Sequence, residues 1–144
     1  MKWASLMALL FAGHLHAATF TVTTTADFGP GSLRQAIADA NATSGNDVIT
    51  FATTGTITLG SPLQVTSANS LTITGPGTNL LTISGNNAVR VLVVNVGATA
   101  TISGLTISNG LATGYANGAG ISNAGKLTVQ NCALINNQNL GGWG

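Results

Sequence analysis

Leu71-Thr72-Ile73-Thr74-Gly75, Leu81-Thr82-Ile83-Ser84-Gly85, Leu105-Thr106-Ile107-Ser108-Asn109 and Leu127-Thr128-Val129-Gln130-Asn131 are four copies of one short unit. In each copy the first and third residues are apolar and the second is Thr. The two-residue period of a strand therefore sends Leu and Ile (or Val) to one face and Thr to the other. The unit closes on Gly or Asn, the residue types that most readily take positive φ, so each copy can end in a sharp bend. Leu81 to Leu105 is 24 residues and Leu105 to Leu127 is 22, a spacing that marks a solenoid or a propeller. A propeller blade needs nearly twice that length and aromatic anchors, whereas aromatic residues are 5 % of this chain. A leucine-rich repeat would add longer Leu-spaced segments, which are missing. Three short strands and three bends fill such a period well. Leu71 and Leu81 then read as two sides of one coil, and stacking aligns Asn109 with Asn131. The expected fold is all-β: a parallel β-helix.

Working outward, further short strands flank these copies, among them Val48–Phe51, Thr56–Leu59 and Val89–Val94. Toward the N-terminus the pattern changes. Thr19–Thr25 has strand character, and Asp27-Phe28-Gly29-Pro30-Gly31 is a turn cluster. A helix follows over Leu33 to Ala40, with Ser32 as N-cap and Gln35 completing a capping box. Leu33, Ala36, Ile37 and Ala40 form one apolar stripe, with Arg34, Gln35 and Asp39 off it. A helix this short is marginal alone, so its stripe is expected to cover the end of the coil stack.

The first residues, Met1-Lys2-Trp3, lead into the mostly apolar run Ala4–Ala12 and then Leu15-His16-Ala17. The run falls short of the roughly 20 apolar residues of a transmembrane helix and reads as a secretory signal peptide cleaved after Ala17. A short buried helix is the blander alternative, and the terminal position with its lone leading Lys argues against it. The expected organisation is a signal peptide over 1–17, an N-terminal cap over 18–47 and coils over 48–144. Cleavage removes Lys2, His14 and His16. What remains is Arg34, Arg90 and Lys126 against Asp27, Asp39 and Asp47, a formal charge of zero.

Charged residues are only 5 % of the chain, against about 25 % in an ordinary globular domain. Its polarity comes from 21 Thr and 14 Asn, there is no Glu, and 19 residues are Gly. Four Lys and Arg cannot form a phosphate-tracking surface, which excludes nucleic acid as a partner. A charged coiled coil and a charged disordered tail are excluded in the same way. Cys132, the single cysteine, permits no intrachain disulfide. Its place in an apolar-alternating stretch suggests a small buried side chain rather than a reactive thiol.

The segment Phe20–Phe51, with Ser32-Leu33-Arg34-Gln35-Ala36-Ile37 and Ala40-Asn41 at its centre, resembles the N-terminal cap of secreted right-handed β-helix proteins with a CSLREA-type motif. Gly31 stands where that motif usually has Cys, and Gln35 where it often has Glu. Gly118-Ala119-Gly120-Ile121-Ser122-Asn123, then Leu127–Cys132, then Ile135-Asn136-Asn137 resemble the repeats of adhesin-like β-helix proteins. These include the chlamydial polymorphic outer-membrane proteins, with GGA-I and FxxN motifs. Here GAGI replaces GGAI, and Leu134 stands in place of Phe. The resemblance spans most of residues 20–137. It implies a right-handed parallel β-helix of the pectin lyase-like kind, secreted and held at an outer membrane or cell surface or released. Its motifs specify architecture, not an activity. Members of such families are usually several times longer, and the autotransporters among them end in a membrane barrel. Coils starting near Val48 leave room for roughly four, the last presenting Leu127, Val129 and Leu134 uncovered. Each fully exposed side chain of that kind forfeits about 1.5–3 kcal/mol. The expectation is an N-terminal fragment, with more coils in a longer protein.

Candidate chemistry is sparse. Glycoside hydrolysis needs two carboxyl groups at a defined separation. Asp27 lies in a turn, Asp39 on the helix and Asp47 before the first coil strand, so all three precede the coil faces where a sugar groove would run. Elimination chemistry would need an Arg or Lys base beside a Ca²⁺-binding acidic cluster, and Arg90 and Lys126 have no acidic neighbour in sequence. Without His, the processed chain cannot build a Ser-His-Asp relay. Gly118-Ala119-Gly120 precedes no helix and is no phosphate loop. Tyr115 and Trp143 are two isolated aromatics, a poor sugar platform. No catalytic, cofactor-binding or metal-ligating residue is assigned, and no cofactor. The sequence points to a non-catalytic, adhesin-like scaffold contacting cell-surface or polysaccharide ligands. Two alternatives stand beside it. One is the N-terminal part of a polysaccharide lyase or glycoside hydrolase whose catalytic residues lie beyond residue 144. The other, more remote, is an ice-binding β-helix. Thr23-Thr24-Thr25, Thr56-Ile57-Thr58 and Thr72-Ile73-Thr74 suit a flat Thr array, but unequal spacings argue against its alignment.

Overall fold

The computed structural model describes residues 16–114 and 116–141, in which short parallel strands stack as a β-solenoid of about four turns. The first coil contains β2 (Asp47–Phe51), β3 (Gly55–Thr58) and β4 (Leu63–Val65), and the second β5 (Ser70–Thr74), β6 (Leu81–Ser84) and β7 (Leu92–Val94). The third adds a strand: β8 (Thr99–Ser103), β9 (Thr106–Ser108), β10 (Leu111–Thr113) and β11 (Ile121–Asn123). The fourth contains β12 (Lys126–Gln130), β13 (Ala133–Ile135) and β14 (Gln138–Leu140). Before them come β1 (Thr19–Val22) and α1 (Leu33–Ala42), the one helix among the described residues. Stacking produces a long sheet β1-β2-β5-β8-β12, a second sheet β3-β6-β9-β13, a third β4-β7-β11 and the pair β10-β14.

The alternation quoted above is what stacks. Ile49, Ile73, Ile102 and Val129 lie over one another in the long sheet, and Ile57, Ile83, Ile107 and Leu134 do so in the second. Leu71 and Leu81 are on two sides of one coil, as their spacing suggested. The copies do not all stack on each other. Leu105 precedes β9 of the second sheet, whereas Leu127 belongs to β12 of the long sheet. Their spacing of 22 is thus a step around the coil rather than up the stack, and no Asn109–Asn131 ladder forms. Asn131 follows Gln130, which pairs with Ser103, while Asn109 follows Ser108, which pairs with Ile135. True coil-to-coil steps in the long sheet run from 24 to 29 residues, Ile49 to Ile73 and Ile73 to Ile102.

The bends also differ from the simple expectation. Asn109 and Asn131 do take positive φ, 50° and 49°. Gly75 is needed for a different reason: a Cβ there would run into the Gly104 carbonyl of the next coil. Close approach of two backbones, not φ, excludes a side chain at that bend.

The N-terminal end is closed by α1. Ser32 caps it, its hydroxyl accepting from the Gln35 N–H at 3.2 Å. The reciprocal half of the capping box is not made: the Ser32 N–H donates to the Gly29 carbonyl at 3.2 Å, and Gln35 Nε2 donates to Asp39 Oδ1 at 2.7 Å. Leu33, Ala36, Ile37 and Ala40 are buried against the same core as Val22, Ile49 and Leu63, which confirms the stripe. At the other end Leu127 is half-buried, while Val129, Leu134, Ile135 and Leu140 are exposed.

Candidate functional site

The outer face of the long sheet is the most regular surface of the molecule. Because Phe20, Ile49, Ile73, Ile102 and their neighbours point inward, the residues between them point out. One rank is Thr19, Val48, Thr72, Thr101 and Thr128, and the next is Thr21, Thr50, Thr74, Ser103 and Gln130. Ranks in such a sheet lie about 6.6 Å apart and successive strands about 4.8 Å apart. Thr21 Oγ1 and Thr50 Oγ1 approach to 3.4 Å. The unequal coil lengths, which argued against an aligned threonine array, are absorbed in the bends, and the strands keep register. A neighbouring row, Ser70, Thr99 and Lys126, places one cation at the margin of this face.

Face and coils carry none of the three carboxylates in solvent reach. Asp27 Oδ1 accepts from Arg34 Nε and Nη2 at 3.0 and 2.6 Å, and its Oδ2 accepts from the Gly60 N–H at 2.8 Å. Arg34 also donates to the carbonyls of Ser61 and Pro62, at 2.6 and 3.0 Å, and stacks 4.7 Å from the Phe28 ring. This arginine therefore rivets the cap to the first coil. Asp39 holds Gln35. Asp47 is buried, accepting from Thr43 Oγ1 and from the Ala18 N–H. Asp27 is paired with a guanidinium whereas Asp47 meets neutral donors, and among the described residues no three His, Cys, Asp or Glu side chains come together as a metal site.

Arg90 is half-buried after the Asn86–Asn87 bend, and Lys126 is exposed at the start of β12. Cys132, expected buried, is half-buried: it packs on the core and its Sγ donates to the Gln130 carbonyl at 3.2 Å. Gly118-Ala119-Gly120 leads into a strand, β11, with Gly118 at φ 73°. Tyr115 and Trp143 lie outside the described residues, as does the apolar run Ala4–Ala12.

Two residues acquire roles that sequence did not assign. Asn41 bridges α1 to the first coil, Nδ2 donating to the Gln64 carbonyl at 2.9 Å and Oδ1 accepting from the Thr66 and Ser67 N–H groups at 2.9 and 3.1 Å. Asn137 joins the last two coils, accepting from the Gly110 N–H at 2.8 Å and donating to the Ile107 carbonyl at 3.0 Å. Asn41 and Asn137 were visible as members of motifs. Their partners, more than twenty residues away, were not. No family model matches the sequence, and no curated protein does so either. Among the described residues no helix is long and apolar enough to cross a membrane.

Proposed function

We propose that this chain is an exported, non-catalytic β-helix scaffold whose threonine face contacts polysaccharide or other cell-surface ligands. The observation that carries this is the pair of in-register neutral ranks on the long sheet. A repeated surface of hydroxyls suits many weak, similar contacts, and repetition raises avidity without any single deep pocket. The commitment of Asp27 and Asp47 to the cap supports the non-catalytic part of the reading. Export rests on the N-terminal leader pattern, and the CSLREA-type cap resemblance is supported by Arg34, which the motif places and which rivets cap to coil. The test is binding of the processed protein to an immobilised glycan panel and to whole cells, beside a Thr72→Lys/Thr101→Lys double variant. The expected result is saturable binding that the variant weakens at least about tenfold, since like contacts along the face act together. Equal binding by both proteins, or none by either, overturns it.

A second reading is favoured by the same register: a face of evenly spaced hydroxyls and methyls can order a lattice of water as on ice. Ice crystals grown with the protein would then be faceted. Unmodified discs would overturn this alternative.

A further inference from the structure

Asp47 is out of place in its row. In the register of the long sheet its position is filled in the coils beneath by Leu71, Ala100 and Leu127. It is 2 % exposed, and a carboxylate removed from water needs compensation that two neutral donors supply only in part. Those donors are Thr43 Oγ1, at 2.6 Å from Oδ2, and the backbone N–H of Ala18, at 2.8 Å from Oδ1. Among the described residues the ion pair is Arg34–Asp27, and no described cation is paired with Asp47.

Ala18 is the residue that follows Leu15-His16-Ala17, the site where the leader reading puts cleavage. Its nitrogen is therefore the atom that changes from amide to amine when the leader departs. Strand pairing on its C-terminal side holds it in place. The Ala18 carbonyl accepts from the Val48 N–H at 2.8 Å, and Thr19 begins the parallel pairing of β1 with β2. Among the described residues, the charged or titratable groups on the elements packed here are Arg34 and Asp39 of α1, with His16 preceding Ala18. Arg34 is held by Asp27, Asp39 is bonded to Gln35, and His16 leaves on cleavage.

We infer that leader removal completes the cap by creating an ion pair between the new α-ammonium of Ala18 and the buried Asp47 carboxylate. Hydrolysis of the Ala17–Ala18 bond consumes one water, leaving a carboxylate on Ala17 and an amine on Ala18. That amine takes up a proton and stays within hydrogen-bond reach of Oδ1. A bond between two opposite charges replaces one between an amide and a carboxylate, so the processed cap is tighter than the precursor's. The inference rests on the export reading proposed above.

Processing leaves two amines, the α-amine and Lys126, so acylation by an amine-reactive ester near neutral pH resolves the question by peptide mass spectrometry. The same spectra fix the N-terminus. A free α-amine has a pKa of about 7.7–8.0 and acylates readily, and each unit of increase lowers its reactive fraction about tenfold. The expected result is an N-terminus at Ala18 whose amine reacts at least about tenfold more slowly than in Asp47→Asn, with Lys126 unchanged. A Ser inserted between Ala17 and Ala18 keeps the Ala18 amide and the fold, moves the α-amine out by one residue and restores free reactivity. A chain left uncleaved, or cleaved elsewhere, overturns the export reading and the inference with it. An Ala18 terminus that reacts as a free amine, or an inserted terminus that stays protected, overturns the ion pair alone.

Discussion

At the N-terminal end of the stack, Leu33 and Ile37 are 0 and 2 % exposed under a helix that lies across the first coil. At the C-terminal end, Leu134 and Ile135 are 54 and 47 % exposed, although Leu134 belongs to the same row as the fully buried Ile57 and Ile107. Both ends obey the same alternation of apolar and polar residues. The difference lies in what covers them. Alternation decides which side chains face the axis of the coil, and only the next layer decides whether water is excluded. The cap adds charged fastening, in the Arg34–Asp27 pair and in Asp47, where Asn137 joins the last two coils by neutral bonds.

The contrast is broken most directly at Leu33. Leu33→Ala leaves a cavity between helix and coil that neither can close, and should cost about 3 kcal/mol or more in urea unfolding. A loss under about 1 kcal/mol would mean that the helix is not integral to the core.

Arg34→Ala tests the polar fastening separately from packing. It strips Asp27 of its cation and leaves the Ser61 and Pro62 carbonyls without those donors. The expected cost is about 2–3 kcal/mol, with Arg34→Lys recovering only part because an ammonium cannot fork across both sites. Full recovery by Lys would show that charge alone holds the cap.

Gly75→Ala moves the test into the coils. Its added methyl meets the Gly104 backbone, which is not a side chain that can turn aside. A loss of about 1–3 kcal/mol is expected in thermal or urea unfolding. A neutral result would show that neighbouring bends separate easily, making coil spacing softer than cap packing.

How much of this was legible follows the range of each interaction. The strands, the helix stripe and the Ser32 cap depend on residues a few positions apart, so Leu-Thr-Ile alternation and the Leu33–Ala40 spacing displayed them. The stacking order depends on which bends lengthen, and one motif serves two sheets. Leu105 and Leu127 looked like successive rungs while lying on different sides of the coil. Gln35 had two possible partners within one turn, and its side chain bonds Asp39 while the Ser32 N–H goes to the Gly29 carbonyl. Asp47 read as the last residue of the cap, before the first coil strand, because its row-mates Leu71, Ala100 and Leu127 are 24 or more residues away. The threonine face was visible as Thr-x-Thr runs. Its alignment was not, because variable bends hide a constant register.

The smallest effect is expected where the comparison began. Leu134→Ala should cost less than about 1 kcal/mol, because a half-solvated side chain gives up little apolar burial and its neighbours can relax into water. Leu33→Ala and Leu134→Ala remove the same atoms, so their ratio measures the covering layer itself. Leu134→Lys should then leave unfolding nearly unchanged while lowering self-association. In the described sheets β12 and β13 are each paired on one side only, and a Lys beside an open strand edge disfavours pairing with another chain. Sedimentation at several protein concentrations reads this directly. If Leu134→Ala proves as damaging as Leu33→Ala, the last coil is covered in solution and the two ends are alike.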